Sequence, residues 1–212
     1  MAHSENIDEI IRRLSIKYPK AKIALQFSNP MELLVATILS AQCTDVIVNR
    51  ITSRLFKKYT SVEEYASADI NQFEQDIKSA GFYHNKAKNI IASAKVIHKE
   101  YGSSVPSKME ELISLPGVAR KTANIVLYNA FGITDGIAVD THVKRLSQKL
   151  DLTRNNDPVK IEKDLMEIVP RHLWGSFPYL LIEHGRAVCI ARKPKCNICN
   201  LYDICPSALN QK

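Results

Sequence analysis

The chain has 212 residues, 45% hydrophobic and 24% charged, a balance that buries a core and excludes a disordered polyelectrolyte. Lys and Arg number 29 against 22 Asp and Glu, and the formal charge of +7 favours a polyanionic partner or an anionic cofactor. No apolar run approaches the roughly 18 residues that span a bilayer. The opening MAHSENIDEIIRR lacks the basic-then-apolar order of a secretory signal, so the expected location is the cytosol or nucleoid.

The hydrophobic period is helical almost throughout, which predicts an all-α fold. Ile7, Ile10, Ile11, Leu14 and Tyr18 line one face of an amphipathic helix closed by Pro19. Asn29-Pro30 reads as an N-cap followed by proline at the first helical position, and MELLVATILSA is apolar nearly all round, as a buried helix should be. A helix is expected from Asp45 to Tyr59, and capping boxes at Ser61/Glu64 and Ser107/Glu110 predict two further starts. A long helix runs from about Asn85 to Tyr101 and stops at Gly102.

A Leu-Pro-Gly turn then leads into KTANIVLYNAF, a helix ending at Gly132. Asp140 caps VKRLSQKL, Asp157-Pro158 opens VKIEKDLMEIV, and Pro178 precedes YLLIEHGRAVC. No period-2 strand and no repeat of fixed period is evident. His172 and His184 read as packing or surface residues, Trp174 as core, and Cys43 as a small buried hydrophobe.

Two features point to chemistry. Helix, LPGVAR, helix is the order of a helix–hairpin–helix, in which a glycine turn and the amides of the next helix's N-terminus suit a DNA phosphate. Cys189, Cys196, Cys199 and Cys205 form a C-x6-C-x2-C-x5-C array, and four thiolates at this spacing serve either a tetrahedral zinc or a [4Fe–4S] cluster. Arg192, Lys193 and Lys195 lie between the first two cysteines, where they offset cluster charge or meet DNA phosphates.

LPGVARKTAN, followed by AVDTHVKR at 138–145, resembles the helix–hairpin–helix DNA glycosylases, specifically the endonuclease III branch. LSAQCTDVIVN (39–49), GFYHNKAKNI (81–90) and the cysteine array appear in that family's order, so the resemblance covers nearly the whole chain. It implies a base-excision repair enzyme that removes oxidised pyrimidines from double-stranded DNA and nicks the abasic site. It also implies a [4Fe–4S] cluster on the four cysteines and action as a monomer. The implied fold is two helical lobes flanking a cleft: a six-helix lobe over 23–133, with the hairpin at about 107–131, and a cluster lobe of 1–22 plus 134–212.

By the same resemblance Lys121 is the nucleophile and Asp140 the essential carboxylate. A lysine must be neutral to attack, and burial together with a helix N-terminus would favour that form. Gln42 matches the position that inserts toward the orphaned partner base, and Phe82 an apolar wedge position. Asp45 is placed near the pocket mouth, and Leu115, Gly117, Val118, Ala119, Arg120 and Thr122 in the DNA-contacting hairpin. The family usually has glycine where this chain has Ala119, a departure that would matter if the backbone there required a positive φ. The rival readings are a monofunctional glycosylase of the same fold and a non-catalytic DNA-binding iron–sulfur protein.

Overall fold

A computed structural model describes residues 6–209, and among these every regular element is helical. The chain divides into two compact units, one combining residues up to Ile23 with those from Thr134 onward, the other spanning Ala24–Ile133.

The first unit opens with α1 (Ile7–Lys17), and the second contains α2 (Pro30–Ser40), α3 (Asp45–Lys58), α4 (Val62–Ala66), α5 (Ile70–Asp76), α6 (Tyr83–Glu100), α7 (Met109–Ile113) and α8 (Arg120–Phe131). The first unit then resumes with α9 (Thr141–Lys149), α10 (Pro158–Ile168), α11 (Phe177–Ala187) and the short α12 (Pro206–Leu209), with single 3-10 turns at Arg171–Leu173, Cys196–Ile198 and Tyr202–Ile204.

Local chemistry sets most of these starts. Asn29 accepts the Glu32 amide at 2.9 Å, with Pro30 in the first helical position. Ser61 and Glu64 complete a reciprocal capping box, and Asp157 accepts the Val159 and Lys160 amides. The Ser107/Glu110 box does not form. Lys108 occupies the N-cap of α7 without a side-chain cap, so the expected spacing is one residue out of register. Helix α5 was not anticipated, although Asp69 caps it through the Gln72 amide at 2.8 Å.

In the second unit α2 is the central element. Met31 and every residue from Leu33 to Leu39 are buried, and α2 packs against α3, α6 and α8. Tyr59, Tyr65 and Phe73 form an aromatic cluster under α4 and α5, with ring centroids 5.1–6.1 Å apart. In the first unit the predicted face of α1 (Ile7, Ile10, Ile11, Leu14) enters a core with Val143, Leu146, Leu165, Phe177 and Leu181. Helices α9 and α11 approach closely at Gly185, where a Cβ would lie 2.8 Å from His142 Nδ1 and 3.0 Å from Arg145 Nη2. Trp174 is half-buried against this core and donates from Nε1 to the Val169 carbonyl at 2.8 Å.

Candidate active site and metal centre

The hairpin consists of α7, the turn 114–119 and α8. Gly117 sits at φ +77, and a Cβ there would fall 2.7 Å from Asn89 Cβ on α6, so both conformation and space require glycine. Ser93, also on α6, donates to the Pro116 carbonyl at 2.7 Å, which fixes the turn to the helix behind it. The side chains of Leu115 and Val118 are buried. The Val118 amide is itself used within the turn, donating to the Leu115 carbonyl.

Ala119 is the N-cap of α8, with φ −88 and ψ 166. This is extended backbone open to any residue, so the conformational concern over a missing glycine disappears. An alanine cannot cap, and α8 has no side-chain hydrogen bond from its N-cap residue. Lys121 follows as the second residue of this uncapped helix. It is exposed and makes no ion pair or hydrogen bond among the described residues. The burial expected of it is therefore not provided by the chain; the helix terminus is. Arg120 and Thr122 flank it, both half-buried.

Gln42 and Phe82 share an unusual backbone. Each has a left-handed φ, +52 and +59, and only Ser103 and Asp151 are the other non-glycine cases among the described residues. Such strain persists where surrounding structure imposes it and is common at functional positions. Both residues are exposed, Phe82 to 64%, which removes it from the core. Asp45 is half-buried as the first residue of α3, which Thr44 caps through the Ile47 amide. Cys43 is half-buried rather than fully enclosed.

In the first unit Asp140 caps α9, its Oδ1 accepting the Val143 amide at 2.7 Å. Its Oδ2 has no hydrogen-bond partner among the described residues, so the carboxylate holds the helix and keeps one oxygen for other work.

Cys189, Cys196, Cys199 and Cys205 border one apolar chamber that Leu146, Val188 and Leu201 also line. Among the described residues no three His, Cys, Asp or Glu side chains gather around a single metal ion's position. Four thiols bordering one apolar chamber are a donor set that fits a [4Fe–4S] cluster. Burial pushes the Cys189 and Cys199 thiols up, so binding as thiolates must displace their protons. Arg192, Lys193 and Lys195 are exposed on the loop between the first two cysteines.

The surroundings of these thiols were largely illegible in sequence. His184 is buried, its Nδ1 3.1 Å from the Tyr18 hydroxyl and its Nε2 3.4 Å from Cys199 Sγ. Burial pushes His184 down to about 4, with nearby Lys17 acting in the same direction, so the ring is neutral. With Cys199 bound as a thiolate, which only accepts, the ring proton would sit on Nε2 and Tyr18 would donate to Nδ1. Leu201 N–H also points at Cys199 Sγ, at 3.4 Å. Arg145 donates to the Cys189 carbonyl at 2.9 Å. Arg13 reaches from α1 to the Asn200 carbonyl at 2.9 Å and grips both oxygens of Asp203 at 2.6 and 3.0 Å.

The hairpin with its uncapped second helix and lysine lies in the unit spanning Ala24–Ile133, and the four-thiol chamber in the other. Residues 35–171 match the model of the HhH-GPD superfamily of base excision DNA repair proteins, and residues 189–205 match the iron–sulfur binding domain of endonuclease III. The chain belongs to the endonuclease III family of the HhH-GPD superfamily. It is 53% identical over 200 residues to endonuclease III of Synechocystis sp., covering 94% of this chain and 91% of the relative, and 46% identical over 206 residues to endonuclease III of Bacillus subtilis, covering 97% and 94%. A solved structure of a trapped endonuclease III–DNA covalent intermediate, an estranged-adenine complex, aligns with a TM-score of 0.94 at 40% identity over 99% of each chain. The family carries a [4Fe–4S] cluster. No helix among the described residues is long and apolar enough to cross a membrane.

Proposed function

We propose that the chain is a base-excision repair enzyme. It binds duplex DNA, removes an oxidised pyrimidine and cleaves the resulting abasic site through a Schiff base on Lys121. The observation that carries this reading is the exposed, unpaired lysine at the second position of a twelve-residue helix whose N-terminus no side chain caps. The open amides and the helix dipole suit a backbone phosphate, and the neighbouring amine is set against the strand that phosphate belongs to.

The chemistry follows from an amine and a carboxylate acting on one sugar. Neutral Lys121 Nζ attacks the anomeric carbon, the C–N bond to the base breaks, and the departing base takes the electron pair and a proton. Asp140, through Oδ2, stabilises the positive charge developing on the sugar and shuttles protons. Loss of the amine proton and opening of the ring leave an imine. Removal of a proton from the adjacent sugar carbon then expels the 3′ phosphate by β-elimination, and water hydrolyses the imine to free the lysine. Closure over DNA supplies the desolvation that Lys121 lacks in the free chain.

Gln42 and Phe82 insert into the stack left by the extruded base, a role supported by their exposure and strained backbones. Cys189, Cys196, Cys199 and Cys205 would hold the cluster, and with four protein ligands it would supply a structural staple rather than a site for substrate. The cationic loop beside it supports docking of phosphates by Arg192, Lys193 and Lys195. The +7 charge supports a place on the nucleoid, and the family resemblance supports action as a monomer.

The test is borohydride trapping on a duplex containing one thymine glycol. Wild type should form a covalent protein–DNA complex, and Lys121→Gln should form none while retaining cluster absorbance and DNA binding. A complex that persists in Lys121→Gln, or none with wild type on this or an abasic duplex, overturns the reading.

A further inference from the structure

Lys86 is the only buried lysine among the described residues, 5% exposed. Its ammonium makes one hydrogen bond, to the Leu39 carbonyl at 2.8 Å, and has no carboxylate partner. Burial pushes its pKa down, while the Cys43 sulfur acts the other way. A desolvated charge held by a single carbonyl is a costly arrangement for the interior of a helical unit. What the two ends of this residue hold gives it a purpose.

The Leu39 carbonyl belongs to the last turn of α2, where acceptors have no partner within the helix and a cation complements the dipole. Three residues beyond it the chain passes through Gln42 at φ +52. At its other end, the Lys86 backbone amide donates to the Phe82 carbonyl at 3.2 Å, and Phe82 is the residue at φ +59. The two loops also meet directly, since a Cβ built on Gly81 would lie 3.9 Å from the Gln42 carbonyl oxygen. One residue thus bonds the segments leading to both strained, exposed side chains.

We propose that Lys86 is a positioning residue that locks the Gln42 and Phe82 loops into a single insertion tool, so that the two side chains enter the DNA stack in fixed register. The inference rests on the reading of Gln42 and Phe82 as insertion residues. Neither loop has regular structure to hold its geometry, and an apolar side chain at position 86 would leave the end of α2 without its acceptor's partner.

The experiment uses a thymine-glycol duplex with 2-aminopurine beside the lesion, followed by stopped-flow fluorescence and single-turnover excision. Lys86→Met should lower the unstacking signal and slow excision, by as much as about 10²-fold for a 1 Å misplacement. Trapping on a single-stranded abasic oligonucleotide, which has no stack to fill, should stay at the wild-type level. The double variant Gln42→Ala/Lys86→Met should be no slower than Gln42→Ala alone, because both changes disable one device.

Wild-type fluorescence and excision in Lys86→Met, additive losses in the double variant, or an equal loss on the single strand would overturn the proposal. Unchanged fluorescence in both Gln42→Ala and Phe82→Ala would instead remove the insertion reading beneath it. Lys86→Gln, whose amide keeps a donor one bond short of the carbonyl, carries the test if Lys86→Met does not fold. It should recover part of the duplex rate relative to Gln42→Ala, and full wild-type behaviour in it counts against the proposal.

Discussion

The N-termini of α8 and α9 begin within about twenty residues of each other, yet they are finished in opposite ways. Helix α9 is closed by its own carboxylate, with Asp140 Oδ1 2.7 Å from the Val143 amide. Helix α8 begins at an alanine that offers its amides nothing. A closed start makes the helix stable in the free protein, and an open one keeps its donors and dipole for an acceptor from outside. The residues proposed for catalysis sit one at each: Asp140 spends one oxygen on the cap, and Lys121 occupies a position that is unfavourable for a cation until a phosphate arrives.

The sharpest way to break this comparison is to separate the two jobs of Asp140. Asparagine caps a helix as well as aspartate does, so Asp140→Asn should cost less than about 0.5 kcal/mol in denaturant unfolding. It should nevertheless lower single-turnover base excision by about 10²–10⁴-fold, because the charge is gone. Asp140→Ala should lose a similar factor in rate and about 1 kcal/mol of stability besides. If Asp140→Asn keeps wild-type excision, the residue is a cap and nothing more.

The converse change closes α8. Ala119→Asp places an acceptor at the N-cap and should stabilise the DNA-free protein by about 0.5–2 kcal/mol. The same carboxylate would occupy the amides and repel the phosphate, and DNA affinity should fall about tenfold. A melting curve and a binding isotherm read the two effects in opposite directions. A variant that gains stability with undiminished affinity would show that the α8 terminus does not meet DNA.

These helix starts also show what sequence could and could not reveal. Asn29, Ser61, Asp140 and Asp157 were legible as caps because a cap depends on an acceptor and an amide two or three residues apart. The same rule misplaced the start of α7 at Ser107, where the chain instead enters its helix at Lys108. The cysteine spacing leaves zinc and a cluster both open, and membership of the endonuclease III family separates them. His184 reads from sequence only as a packing or surface residue because its partners are Tyr18, 166 residues away, and Cys199, which no local pattern connects to it. The expected burial of Lys121 failed for a different reason: a helix N-terminus can be recognised from its flanks, but burial depends on packing with distant segments that no local pattern shows.

The cationic loop offers a control for directed against diffuse electrostatics. Neutralising Lys193 by Lys193→Gln should reduce the slope of log affinity against log salt by about one if the side chain contacts a phosphate, with little change between damaged and undamaged duplex. Ala119→Asp should weaken binding by acting at one phosphate rather than across the whole surface. Equal responses to salt and lesion in the two variants would erase the distinction between the hairpin and the cluster loop as binding elements.

The smallest effect is the most discriminating for the backbone. Ala119 has φ −88, a conformation in which a methyl group is unstrained, so glycine is not needed there as it is at Gly117. Ala119→Gly should therefore change stability by no more than about 0.5 kcal/mol, since the weak preference for glycine over alanine at an N-cap offsets the added freedom of the unfolded chain. DNA affinity should stay within about twofold of wild type in an equilibrium titration. A large gain in affinity would mean that the methyl group holds the phosphate away from the amides, and that the open start of α8 is only partly open in this chain.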